Sequence, residues 1–215
     1  MASDEKTLWG IHARAAVDGQ DLFRREGIVA IGWPVIGDLT AVPKSRAAFR
    51  ETVQSAYPHY KPGAVPVHAG TLYKFCHEIQ VGDYAIYPSK HDRMVNIGII
   101  DSQYEYTSSF DREFPHVRRV RWIKTLPRTG FSQGALYEIG SAVTLFQVRN
   151  FADEFLAALE GKAREPEVED DETVGPVVED IEETTRDFIG VGGVGRTGGT
   201  RSSAAGSNRP SALTQ

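Results

Sequence analysis

Apolar positions change period several times along the first 160 residues, and each change predicts a new element. Residues 8–13 read as a strand, and residues 18–26 as a short helix with Leu22 and Phe23 as its apolar contacts. Gly27 stops that helix. The run Ile28-Val29-Ala30-Ile31-Gly32-Trp33 then reads as a buried, β-branched strand, broken by the loop signals Pro34 and Gly37. Residues 45–56 carry helical spacing through Ala48, Phe49, Thr52 and Val53, with Ser45 as N-cap and Tyr57-Pro58 as the stop. In residues 70–79, Leu72, Phe75, Cys76 and Ile79 fall on one helical stripe.

Three strands are predicted next, over residues 81–87, 95–106 and 117–123. Residues 133–138 predict a helical turn and 143–148 a short apolar run. Residues 151–160 predict an amphipathic closing helix, with Asp153 and Glu154 in its first turn. The strands are not joined by repeating helical crossovers. The predicted class is therefore α+β, a small curved sheet or barrel flanked by helices, and not a doubly wound fold.

The pattern ends near residue 160, and there charge changes the picture. Residues 1–160 hold 18 Lys+Arg and 18 Asp+Glu, whereas residues 161–215 hold 6 and 11, so the net charge of −5 lies in the tail. Residues 165–187 contain eleven acidic side chains and one basic one, Arg186, a composition that cannot bury a core. The expected organisation is a domain over 7–160, an acidic linker over 161–189 and a disordered Gly/Ser/Arg-rich tail over 190–215. No stretch reaches the 18 apolar residues of a membrane span, and a single cysteine, Cys76, excludes an intramolecular disulfide. A cytoplasmic location is expected.

Most chemical motifs fail on context. Gly190-Val191-Gly192-Gly193-Val194-Gly195 fits G-x-G-x-x-G, but it follows an acidic segment instead of a strand and is read as coincidence. The six histidines lack metal-ligand spacing, so no metal site is expected. Cys76 lies on an apolar helical stripe and reads as a packed thiol. Glu160-Gly161-Lys162 reads as a solvated helix end. No catalytic residue is assigned.

Two features stand out. Arg118, Arg119, Arg121, Lys124 and Arg128 place five basic side chains within eleven positions of a neutral domain. They are candidate phosphate contacts, or else a charged sheet edge. On a strand, Arg119 and Arg121 share one face and Arg118 and Lys124 the other. Aromatic residues also gather at strand ends: Trp33, Tyr84, Tyr87, Tyr104 and Tyr106. They are candidate walls of a slot for a flat ring, with Asp38 placed to accept a hydrogen bond from an exocyclic amine, or else ordinary core and rim packing.

A family resemblance runs through these residues. Its segments, in chain order, are Ile28 to Trp33 with Gly37-Asp38-Leu39-Thr40; Ala69-Gly70 through Phe75; Glu78 through Tyr84; Ile97-Gly98-Ile99-Ile100 with Tyr104-Glu105-Tyr106; His116 through Trp122; and Gly140-Ser141 with Thr144-Leu145-Phe146. Over residues 7–159 the chain resembles the N-terminal domain of Mrr-like, type IV modification-dependent restriction endonucleases. That domain is similar to the EVE/PUA-like/YTH group of small barrels that read modified bases. The resemblance implies a DNA-binding target-recognition module that flips and stacks a modified base. It also implies a C-terminal PD-(D/E)xK nuclease domain, for which alone Mg2+ is expected. Residues 181–189 look like the entrance to that domain, but a Gly-rich stretch follows and the nuclease core is expected to be missing here. A full restriction endonuclease is the alternative reading, and a small-ligand or protein-interaction domain the third.

Overall fold

The computed structural model describes residues 6–14 and 21–162. The acidic linker, the glycine motif, the 181–189 segment and the Gly/Ser/Arg-rich tail lie outside the described residues.

Strand β1 (Leu8–Ile11) is followed by helix α1 (Leu22–Glu26), which buries Leu22 and Phe23. Gly27 ends the helix in the left-handed region (φ 63), and its N–H closes on the Phe23 carbonyl. β2 (Ile28–Ile31) buries all four residues, as a continuous β-branched run requires. α2 (Arg46–Ala56) starts where the sequence predicts, with the Ser45 hydroxyl accepting from Ala48 N–H at 3.1 Å. α3 (Ala64–Tyr73) begins six residues before the predicted start, because Pro66 sits in the first turn, where no donor is lost. It widens into a π-turn over Lys74–Glu78.

The remaining strands are β3 (Tyr84–Pro88), β4 (Met94–Ile100), β5 (Glu105–Tyr106), β6 (His116–Pro127) and β7 (Leu145–Val148). The single strand expected over 95–106 is thus two strands separated by a turn. α4 (Gln133–Ile139) and α5 (Ala152–Leu159) complete the fold. The sheet order is β2-β6-β4-β3-β1-β7, with β5 beside β6. Among the described residues only the β1–β3 pairing is parallel. The result is a curled half-barrel flanked by helices, in the α+β class.

Alternation along the strands feeds two cores. Ala85, Tyr87 and Ile100 face the core under α1, α2 and α3, while Ile86, Val95 and Ile97 face the core under α4 and α5. Buried Asp83 ties β1 to β3, accepting from Trp9 Nε1 at 2.9 Å, Gln80 N–H at 2.9 Å and Thr7 N–H at 3.1 Å. β6 is the long member shared by both halves of the sheet. Its first residues lie between β2 and β5, and its later residues run along β4 past a bulge at Ile97/Gly98. Gly98 is required there, since a Cβ would lie 2.5 Å from Val120 Cγ1 and 3.0 Å from the Arg121 carbonyl.

Candidate functional site

The chain leaves β2 through a strained corner. Trp33 adopts φ 68, ψ 49, a left-handed conformation unusual for a bulky residue. Pro34–Ile36 forms one 3₁₀ turn, closed by Gly37 at φ 76. Asp38 starts a second turn, its Oδ1 accepting from Thr40 N–H at 2.9 Å, and Leu39 drops into the core.

Three tethers fix this loop. His116, fully buried at the start of β6, contacts the Trp33 carbonyl through Nε2 at 3.3 Å. The Tyr57 hydroxyl accepts from Val35 N–H at 3.4 Å, and the Tyr104 hydroxyl accepts from Leu39 N–H at 3.1 Å. Tyr104 Oη also lies 2.7 Å from His116 Nδ1. A carbonyl can only accept, so Nε2 carries the proton and Nδ1 accepts from the phenol. The relay therefore runs from Leu39 N–H to the Tyr104 oxygen, from Tyr104 O–H to His116 Nδ1, and from His116 Nε2–H to the Trp33 carbonyl. Burial pushes the imidazole pKa down to about 4, against smaller opposing effects from the Trp33 carbonyl and the Asp38 charge, so the ring is neutral at pH 7. Burial also raises the Tyr104 phenol above its ordinary value.

Rings surround this relay. Tyr104 stacks at 26° to His116 with centroids 5.9 Å apart, and half-exposed Tyr106 stands 5.6 Å from the same imidazole. On the other side half-buried Trp33 meets His68 at 5.4 Å, His68 meets Tyr60 at 4.7 Å, and Tyr60 stacks on Tyr57 at 4.8 Å. Sequence reasoning missed Tyr57, Tyr60, His68 and His116. The run Tyr57-Pro58-His59-Tyr60, of which Tyr57-Pro58 reads as a helix stop, is the available signal.

The proposed slot is accordingly redrawn. Trp33, Asp38, Tyr104 and Tyr106 share one neighbourhood around His116. Tyr87 and Tyr84 do not join them. Tyr87 is fully buried, its ring 5.1 Å from Phe23 and 6.0 Å from Trp122, and Tyr84 packs into the second core. Tyr84 is only partly buried, and its odd spacing from Tyr87 sets the two rings on opposite faces of β3, against different cores, so they do not wall one slot.

The basic run divides by face as the alternation predicts, but one face turns inward. Arg118 is fully buried, and its guanidinium donates to the carbonyls of Phe75 at 2.8 Å, Cys76 at 3.1 Å and Ser102 at 3.2 Å. Two of these are carbonyls left open where α3 ends in its π-turn, so Arg118 is a C-terminal helix cap and not a phosphate contact. Burial lowers its pKa to about 10, still charged at pH 7. Lys124 donates to the Ala158 carbonyl at 2.7 Å, at the end of α5, and Arg128 to the Ser89 carbonyl at 3.4 Å. Arg119 and Arg121 face outward. Arg119 pairs with Glu105 at 3.3 Å and lies over the Phe110 ring at 5.7 Å.

Cys76 is buried among apolar groups, which pushes its thiol up to about 11 and removes it as a nucleophile. Among the described residues no group of three or more His, Cys, Asp or Glu could hold a metal, and no helix is long and apolar enough to cross a membrane. Two open depressions, of about 450 and 380 Å³, lie against α2 and between α2 and β7, and neither is lined by Trp33. The candidate site is therefore a rim of rings and charge around a strained loop.

Nothing matches among curated proteins or among solved structures. One protein family matches residues 11–148, from the last residue of β1 to the last residue of β7, and its description is a domain of unknown function (DUF8426). That span covers more than half of the chain, which therefore belongs to the DUF8426 family.

Proposed function

We propose that this domain is the DNA-binding, target-recognition module of a cytoplasmic modification-dependent restriction system, holding a modified base outside the duplex. The observation that carries the reading is the left-handed Trp33 backbone, tethered by buried His116 beside exposed Tyr106 and Asp38. Strain of this kind costs on the order of 1–3 kcal/mol and collects at ligand clamps. Arg119 and Arg121 supply outward charge on the strand that carries His116. They would hold the phosphate backbone without reading sequence. Trp33 and Tyr106 would stack the extruded base, and Asp38 would accept from an exocyclic amine. Removal of a base from the stack costs a few kcal/mol, which roughly 1–3 kcal/mol per stacking contact partly offsets.

The module recognises and does not cut. Mg2+ belongs to the nuclease chemistry of the resembled family. Among the described residues no group of His, Cys, Asp and Glu side chains fits it.

The test is retention of otherwise identical methylated and unmethylated duplexes across a salt series. The wild-type chain is expected to bind both, with affinity falling steeply as salt rises and tighter binding to one methylated duplex. Tyr106→Ala should lose that preference. Salt-independent retention, or no retention, refutes the reading.

A further inference from the structure

We infer that Val35 is a wedge that fills the gap a displaced base leaves in the duplex; this rests on the nucleic-acid reading above. The inference comes from how the 33–39 loop is built. Val35 is 67% exposed, at the tip of a 3₁₀ turn. Exposed apolar residues are ordinary when scattered. Val35 departs from that: among the described residues seven large hydrophobics are exposed, and only Val35 and Tyr137 are more than half exposed. Tyr106, another of the seven, lies against His116, which holds the Trp33 carbonyl at the start of the same loop.

The tip cannot fold back to bury its valine. Pro34 fixes φ at the start of the turn, and Gly37 reverses the chain at φ 76 after it. His116 holds Trp33, Tyr57 holds the Val35 N–H itself, and Tyr104 holds Leu39. The loop thus supports an apolar side chain in water on a backbone strained at Trp33. A β-branched side chain is stiff at χ1, so it inserts with little loss of rotamer freedom. Apolar wedges of this kind enter between base steps and unstack them. Val35 lies two positions beyond Trp33, so the extruded ring and the gap it leaves would be served by one loop.

The experiment compares binding of two duplexes, identical except that one carries a single abasic site. A gap already open needs no base displaced, so the wild-type chain should bind the abasic duplex about tenfold tighter. Val35→Ser should bring the two affinities to within about twofold, and Val35→Leu should keep the preference. Both variants should melt like wild type, because an exposed position carries little stability. Wild-type binding to both duplexes without preference, or a preference retained in Val35→Ser, overturns the wedge while leaving DNA binding in place. Absence of salt-dependent binding to either duplex overturns the nucleic-acid reading and the wedge with it.

Discussion

The Tyr104 phenol donates to His116 Nδ1 across 2.7 Å, and this bond sets which imidazole nitrogen is left to hold the Trp33 carbonyl. The same oxygen accepts from Leu39 N–H, so one hydroxyl links both ends of the 33–39 loop to β6. Tyr104→Phe removes a donor and an acceptor from partly buried partners. It should destabilise the domain by about 1–3 kcal/mol in urea unfolding, with an unchanged m-value. A change below about 0.5 kcal/mol would mean that the relay does not hold the loop.

Acid should undo the same relay. His116 has a folded pKa of about 4, below the ordinary imidazole value near 6.5, so the unfolded chain binds the proton first. Stability from the neutral ring is complete above pH 6.5 and is lost as pH falls toward 4. The size is on the order of 3 kcal/mol. Unfolding free energies of wild type and His116→Gln, measured from pH 7 to pH 4, should therefore converge toward the acid end. Parallel curves would remove His116 as the titrating group.

Neighbouring arginines should behave as opposites. Arg118→Met strips three carbonyls of their donor and should cost roughly 3–5 kcal/mol, and Arg118→Lys should rescue little, since one ammonium cannot reproduce the fork. Arg119→Gln, at an exposed position, should stay within about 0.5 kcal/mol of wild type. Thermal melts of the three variants decide between cap and surface.

On the proposed function, Arg119→Gln with Arg121→Gln should leave the fold intact. The slope of log affinity against log salt should become shallower by about two, one for each phosphate no longer neutralised. If one duplex sequence alone loses affinity, these arginines read bases instead of backbone.

At position 33 the backbone and the side chain can be separated. Trp33→Ala keeps the left-handed strain and Trp33→Gly relieves it, so the glycine variant should be more stable than the alanine variant by about 1 kcal/mol. Equal stabilities would mean that the loop relaxes once the indole is gone.

Locally encoded features were legible in the sequence. Ser45 and the Phe49/Val53 spacing announced α2, and the run of β-branched residues announced β2. The split of the arginines between two strand faces was legible as well, because alternation is a property of the strand itself. The direction each face points was not. Arg118 is buried by carbonyls 42 and 43 residues away, and a backbone acceptor leaves no mark on composition. Tyr87 misled for the complementary reason: an aromatic before proline reads as a rim residue, yet the interior of the curled sheet takes it. The His116 relay was invisible because its members come from three separated segments, and one of them is a main-chain carbonyl.

The pairing of β1 with both β3 and β7 has a consequence during synthesis. Leu8 meets Tyr84 on one side and Val148 on the other, so β1 finds its second partner 140 residues after its own translation. At about 5–20 residues per second that interval is roughly 7–28 s. Throughout it the nascent chain presents β1 with at least one edge open and Leu8 without Val148 and α5, a surface that invites association with other chains. The sheet thus cannot be completed until β7 emerges from the ribosome, and chaperone dependence at high expression should be set by that delay more than by the stability of the finished domain.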